Sequence, residues 1–129
     1  MKMSSIVIFL ALSLLAAVVG VGVLYPGVGG DFIFDDSPNI VKNYSLHVTS
    51  LGLDELLFAA YSFQPGGGTR FLPMLSFALD HWRGGLDPAV FQTTNLIIHA
   101  LTTVALAYFL RALLVAAKMH PERAVRVAL

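Results

Sequence analysis

The chain has 129 residues, enough for one ordinary domain, and 57% of them are hydrophobic while only 12% are charged. A typical soluble domain has about 25% charged residues, so this composition excludes a disordered chain and argues against a soluble globule. The formal net charge is zero and there are no cysteines, which excludes a disulfide scaffold and a zinc–thiolate site and leaves no basic excess to bind nucleic acid.

The first predicted element is a transmembrane helix within residues 1–25. Its core is the apolar run from Ile6 to Leu24, interrupted only by Ser13 and two glycines. A helix of this length rises about 30 Å, which is the thickness of the hydrocarbon core of a bilayer. The alternative is a cleaved signal peptide, but the apolar region of such a peptide usually has only about 7–15 residues. An uncleaved membrane anchor is therefore favoured.

Residues 26–92 are predicted to form an outer loop that contains short helices. Ser50 is the candidate N-cap of one helix, and Asp54 and Glu55 lie near its first turn, where the helix dipole favours acidic residues. The glycine-rich segment 64–69 is a predicted loop.

A second apolar helix is predicted later in the same loop. The apolar stretch from Phe71 to Trp82 is too short to span a bilayer, so we interpret it as a re-entrant or interfacial helix. Gly84-Gly85 is predicted to end it, and Asp87-Pro88 to begin the next element. Five neighbouring polar residues are interpreted as solvated or interfacial: Lys42, His47, Asp80, His81 and Arg83.

Residues 93–117 are the predicted second transmembrane helix, followed by a basic tail at 118–129. Seven of the eight acidic residues lie between Asp31 and Asp87, whereas the two ends of the chain are basic. The positive-inside rule then places both termini in the cytoplasm and the loop outside. The sequence thus predicts an all-α integral membrane protein, with two transmembrane helices joined by an outer loop with short interfacial helices.

The densest group of polar residues follows the first apolar helix, where Asp35 and Asp36 are adjacent. Such carboxylates at a membrane surface can abstract a proton from a hydroxyl group or hold a divalent cation. The alternative is structural, because Asp-Asp-Ser-Pro-Asn is also a common turn and capping sequence.

Two further candidates lie later in the chain. Asn95 and His99 share one face of the second apolar helix, where they would either hydrogen-bond a neighbouring helix or line a cavity. Arg70 follows the glycine-rich loop, where it would either bind a phosphate in a bidentate manner or anchor the loop at lipid headgroups.

The ordered set of these segments resembles a known family. The segment from Phe34 to Asn43, F-D-D-S-P-N-I-V-K-N, resembles the first outer loop of membrane glycosyltransferases of the GT-C superfold. The closest group is the protein O-mannosyltransferase-like and transmembrane–tetratricopeptide-repeat proteins. The segments 70–80 and 85–101 resemble the family's later loop helix and its entry to the second span, and the resemblance covers about residues 31–114.

The resemblance implies transfer of a sugar from a polyprenyl-phosphate donor to an acceptor hydroxyl on the outer face. Asp35 and Asp36 would then be the catalytic candidates and Arg70 the donor-phosphate ligand, with Asn95 and His99 lining a cavity or packing between helices. Two positions depart from the family pattern, since Gln92 stands where His is frequent and Phe71 where Pro often follows the arginine.

Family members have many more spans, so we expect this chain to be an N-terminal fragment, inactive alone and completed by further membrane helices of the same gene or of a partner chain. The expected location is the bacterial inner membrane, with the bilayer and the donor lipid as partners. The alternative is a small two-span membrane subunit with a structural or partner-binding role and no catalysis.

Overall fold

The computed structural model describes residues 5–63 and 69–117, and all regular elements in these ranges are helical. They form two compact units, which we call the helix-pair unit (the described residues up to Pro26 and from Asn95) and the loop unit (Gly27–Thr94). Within the described residues, the four α-helices are α1 (Ser5–Leu24), α2 (Leu53–Ala60), α3 (Phe71–Gly84) and α4 (Pro88–Ala116). Two 3-10 turns at Tyr25–Gly27 and Tyr44–Leu46 and a π-helical turn at Ser37–Val41 complete the elements.

The helix-pair unit consists of α1 and the larger part of α4. α1 buries Phe9, Ser13 and Ala17, which recur every four residues and therefore share one face. Phe9 packs with Ala107 and Leu114 of α4, and the hydroxyl of Ser13 donates a 2.8 Å hydrogen bond to the Phe9 carbonyl, which satisfies that buried polar group.

Both long helices leave most of their large apolar side chains exposed. By length and composition, each is long and apolar enough to cross a membrane. The predicted all-helical chain with two helices of spanning length is therefore confirmed.

The loop unit has its own small apolar core. α2, α3 and the 3-10 turn at Tyr44–Leu46 contact one another around it. Each helix contributes one face, so removal of this apolar surface from water holds the three elements together. The buried members of the core are Leu46, Val48, Ala59, Met74 and Ala78, with Phe63 and Phe77 packed against them.

The start of α2 differs from the prediction. Gly52, not Ser50, is the N-cap, and α2 begins at Leu53. The carboxylate of Glu55 reaches back from the first turn and accepts hydrogen bonds from the backbone N–H groups of Thr49 and Ser50 and from the Ser50 hydroxyl. The Ser50 hydroxyl thus donates to the Glu55 carboxylate, and Ser50 does not cap the helix.

The ends of α3 and α4 follow local signals in the sequence. α3 ends at Gly84, and Gly85 has a φ of +62° that suits glycine, so the predicted glycine stop is confirmed. Asp87 accepts a 2.9 Å hydrogen bond from the Ala89 N–H, and α4 begins at Pro88. The second long helix therefore begins five residues before the predicted span at 93–117, because its first turns belong to the loop unit. The predicted basic tail at 118–129 and most of the loop at 64–69 lie outside the described residues.

Candidate functional site

The candidate site is the turn that carries Asp35 and Asp36. The side chain of Asp36 accepts a 3.1 Å hydrogen bond from the Ile33 N–H. Asp36 immediately precedes the π-helical turn at Ser37–Val41. Asp35 contributes its backbone carbonyl, which accepts the Asn39 N–H at 3.1 Å. Its exposed carboxylate forms no ion pair within 4.0 Å in the described parts of the chain. One carboxylate is thus oriented by the turn and the other is open to an outside group.

Phe34, immediately before the two carboxylates, has an unusual backbone conformation. Its φ is +48°, in the left-handed region that a bulky residue rarely adopts, and its side chain is 90% exposed. A conformation of this kind costs on the order of 1 kcal/mol or more and persists only where the surroundings impose it. Because the Phe34 ring is exposed, its packing does not impose this backbone conformation. Fixed points in the chain on either side of Phe34 must therefore impose it.

Gln92 is one of these fixed points, and it holds the segment that leads into the turn. Its side-chain oxygen accepts the Gly29 N–H at 2.6 Å, and its side-chain nitrogen donates to the Gly30 carbonyl at 3.1 Å. Phe32 packs edge-to-face on Phe91, with ring centroids 5.4 Å apart. The first turns of α4 therefore anchor the entry to the Asp35–Asp36 turn.

A small polar cleft adjoins the same turn and was not predicted. Its volume is about 220 Å³, and the side-chain nitrogen of Asn43 donates to the Ser62 hydroxyl at 2.9 Å across its wall. Three of the residues that line the cleft have a spacing of three or four positions, which places them on one helical face: Asn39, Lys42 and Asn43. No feature of the nearby sequence predicts that Ser62 joins them. The cleft is lined by Pro38, Asn39, Lys42, Asn43 and Ser62.

Arg70 lies next to an aromatic ring and does not pair with either carboxylate. Its guanidinium carbon lies 4.3 Å from the centre of the Phe63 ring, and the only ion pair within the described ranges 5–63 and 69–117 joins Arg83 and Asp80. Stacking on a ring leaves the edge of an arginine free to donate. The arrangement can therefore accept an anion, but the structure does not join it to Asp35 and Asp36.

Asp80 was interpreted as a solvated or interfacial residue, and this is wrong. Its side chain is only 2% exposed. The Thr94 hydroxyl donates to it at 2.6 Å, and Arg83 lies 3.4 Å away. Burial raises the pKa of Asp80, an effect that the Thr94 hydrogen bond and the Arg83 charge partly oppose. The residue joins α3 to the first turns of α4, which a sequence pattern alone does not reveal.

His47 and His81 form a second, partly buried contact in the loop unit. Their rings are stacked 4.4 Å apart with an angle of 5° between the planes, and His47 Nε2 lies 3.2 Å from the Ile40 carbonyl. Desolvation and the nearby His47 ring lower the pKa of His81. This pair therefore connects α3 to the end of the 3-10 turn at Tyr44–Leu46.

Asn95 and His99, the remaining candidates, belong to the helix-pair unit. His99 lies over Gly20 of α1, so closely that a Cβ added at Gly20 would lie 3.0 Å from the His99 Nε2. Asn95 is exposed. Their predicted role in packing or in lining a cavity stays a prediction.

Comparisons with models of known protein families, with curated proteins and with solved structures find no match. Within the described residues, no group of three or more histidine, aspartate or glutamate side chains is arranged to hold a metal ion. The resemblance to membrane glycosyltransferases and the divalent cation therefore both stay predictions. Chemically, the loop unit offers an open carboxylate and an oriented carboxylate in one turn, with a polar cleft beside them.

Proposed function

We propose that this chain forms the N-terminal hairpin of a membrane glycosyltransferase that moves a sugar from a polyprenyl-phosphate donor to an acceptor hydroxyl on the outer face. In this proposal α1 and α4 span the bilayer. Their exposed apolar side chains support insertion, since exposure of that much apolar surface to water is unfavourable. The location is the bacterial inner membrane, with both termini cytoplasmic.

The observation that carries the proposal is the pairing of an open and an oriented carboxylate in one turn. Asp36 is held by the Ile33 N–H, while Asp35 is exposed. One carboxylate accepts the proton of the acceptor hydroxyl group. At the same time, the oxygen of that hydroxyl group forms a bond to the anomeric carbon of the sugar. The bond from that carbon to the phosphate oxygen breaks, and the polyprenyl phosphate leaves with the electron pair.

The donor phosphate needs a cation, and Arg70 fits that role. Its guanidinium is exposed and stacked on Phe63, which limits its motion and leaves donor edges free for two phosphate oxygens. Because Arg70 and the carboxylates do not pair, a bound substrate would have to bridge them. A divalent cation at the two carboxylates would act as a further electrophile.

Further membrane helices, from the same gene or from a partner chain, would complete the site. The Asp35 carboxylate is exposed, whereas transfer of a sugar to a chosen hydroxyl requires exclusion of competing water. The covering surface must come from elements additional to those of the loop unit. Catalysis is therefore expected from the assembled enzyme.

The test is a transfer assay on membranes that contain the complete gene product. Labelled polyprenyl-phosphate mannose serves as the donor probe, and incorporation into protein is counted. Removal of the carboxylate that acts as the base, by Asp35→Asn or by Asp36→Asn, should reduce incorporation by about 100-fold or more, the usual size of the loss when a positioned base is removed. Asp54→Asn, at an exposed acid of α2, is the matched control and should retain activity. Equal activity of all four proteins contradicts the proposal.

The second candidate is a small two-span subunit that binds a membrane partner without catalysis. It is favoured by an open apolar groove of about 330 Å³ in the helix-pair unit, between α1 and α4, lined only by aliphatic side chains. A helix with small apolar residues would fill such a groove. Retention of activity by both aspartate variants, together with co-purification of a membrane partner, would favour this candidate.

A further inference from the structure

Arg111 is a charged residue inside an otherwise apolar stretch of α4. It lies five residues before the end of that helix at Ala116, a rise of about 7.5 Å. A charge at such a depth in a membrane helix is unfavourable unless a group compensates it, so it marks a candidate binding site. No described carboxylate forms an ion pair with it.

The helix-pair unit holds the guanidinium in place. Its central carbon lies 5.5 Å from the centre of the Phe9 ring. Phe9 is fully buried, and Tyr108 of α4 packs edge-to-face on it at 5.0 Å. The ring that receives the guanidinium is therefore itself fixed by α4, so Arg111 is pre-ordered rather than free to reach into water.

The available donors of Arg111 face outward. Its Nε is covered and has no hydrogen-bond partner in the structure, while the side chain as a whole is partly exposed. The two terminal Nη atoms are then the donors that a group from outside can reach. A planar pair of N–H donors matches two oxygens of one phosphate group.

We propose that Arg111 binds the phosphate of a membrane phospholipid at the rim of the helix pair. The depth favours this ligand. Phe9 lies four residues from the start of α1 at Ser5, so the guanidinium lies just inside the hydrocarbon boundary, within reach of headgroup phosphates. Tyr108 provides the aromatic ring that is typical of this level. The inference rests on the proposed membrane insertion and does not depend on glycosyl transfer.

The test is lipid binding by the full chain in a neutral detergent, measured by native mass spectrometry during titration with phosphatidylglycerol. The unmodified chain should bind one phosphatidylglycerol roughly tenfold more tightly than Arg111→Gln, as expected for two charge-assisted hydrogen bonds. Phe9→Leu keeps apolar volume but removes the ring, and should give an intermediate affinity. Arg83→Gln, which removes the same charge from the loop unit, is the control and should bind like the unmodified chain.

Three results would overturn the proposal. The first is equal binding by the unmodified chain and Arg111→Gln. The second is equal loss in Arg111→Gln and Arg83→Gln, which would indicate net charge alone. The third is binding of inorganic phosphate as tight as that of the lipid in the same titration, which would indicate a site for a soluble anion. Membrane insertion is tested separately by extracting membranes that contain the chain at alkaline pH, which releases proteins that are not inserted. Failure of lipid binding is therefore distinguishable from failure to insert.

Discussion

The acidic residues of the loop unit have three different environments, although the sequence presents them as one acidic stretch. The Asp35 side chain is exposed, Asp36 accepts a backbone N–H, and Asp80 is buried with Thr94 and Arg83. An exposed carboxylate keeps its freedom to bind a substrate, whereas a buried one that is hydrogen-bonded and ion-paired is held in a contact between helices. At the scale of the residue, burial therefore separates the candidate catalytic groups from the structural one.

Asp80 gives a prediction with a definite pH dependence. Burial raises its pKa above the ordinary 3.8, so the folded state loses stability as the pH rises from that value through the raised pKa. Asp80→Asn keeps an acceptor for Thr94 without the buried charge. Its melting temperature should therefore be at least that of the unmodified chain at pH 7, and the difference should vanish at pH 3.

Asp80→Ala is the contrasting variant in the same melting experiment. It leaves the Thr94 hydroxyl without its acceptor and creates a cavity, so it should destabilise the protein by about 2 kcal/mol at pH 7. If Asp80→Asn and Asp80→Ala lose the same stability, the charge of Asp80 matters more than its hydrogen bond, and the burial argument fails.

At the scale of the element, Glu55 joins the first turn of α2 to the residues that precede it, while Gly52 is the N-cap. Hydrogen bonds from the Ser50 hydroxyl and from the Thr49 and Ser50 backbone lower the pKa of Glu55. A lowered pKa contributes stability above the unfolded value near 4.5, and that stability is lost as the pH falls through the folded pKa. Glu55→Gln should therefore melt earlier than the unmodified chain at pH 7, and the difference should shrink as the pH is lowered below 4.5.

Asp54 of the same turn is the control for that measurement. It is exposed and shares with Glu55 the favourable interaction with the helix dipole. If Asp54→Asn lowers the melting temperature as much as Glu55→Gln does, the effect comes from the dipole and not from the hydrogen bonds to Thr49 and Ser50.

Two glycines of α1 provide a matched test of the helix pair. A Cβ at Gly20 would lie 3.0 Å from His99 Nε2, whereas a Cβ at Gly22 would meet no atom of the described residues within 4 Å. Gly20→Val should therefore destabilise the pair by about 1–2 kcal/mol, in the range of other overpacked contacts, and Gly22→Val should not. Thermal unfolding in detergent measures both.

A double variant assigns the cause of that effect. In the Gly20→Val background, His99→Ala removes the side chain that the valine meets, so it should restore part of the lost stability. If His99→Ala destabilises the double variant further, the valine disturbs α1 by another route.

Local signals were sufficient to predict the end of α3 and the start of α4, but not the N-cap of α2 or the long-range contacts. Gly85 and Pro88 act on their own backbone, so the end of α3 and the start of α4 could be read from adjacent residues. Gln92 holds Gly29 from 63 positions away, and Asp80 is buried by neighbours from another helix. Such contacts depend on the folded arrangement, which periodicity and turn chemistry do not specify. The polar cleft escaped prediction for the same reason.

At the scale of the whole molecule, the proposed orientation gives a direct labelling experiment. The chain has no cysteine, so single introduced cysteines report without background. In intact cells, a membrane-impermeant maleimide should label Thr69→Cys in the loop unit and should leave Ala117→Cys, beyond α4, unlabelled. Both positions are exposed in the structure.

Permeabilised cells provide the control, since both variants should then react. Labelling of Ala117→Cys and protection of Thr69→Cys in intact cells would reverse the orientation. Labelling of both in intact cells would contradict two spans, because one membrane crossing separates these positions in the proposal.

The contacts of Gln92 with Gly29 and Gly30 also impose an order in time. A ribosome makes the Asp35–Asp36 turn well before it makes Gln92, and the Phe91 ring that packs on Phe32 arrives equally late. While the nearly sixty residues after the turn are translated, the contacts with Phe91 and Gln92 are absent. During that interval these contacts cannot help to impose the unusual φ of Phe34. The segment that leads into the Asp35–Asp36 turn therefore acquires its anchors only when the first turns of α4 have been made, whereas the local hydrogen bond from the Ile33 N–H to Asp36 does not depend on them.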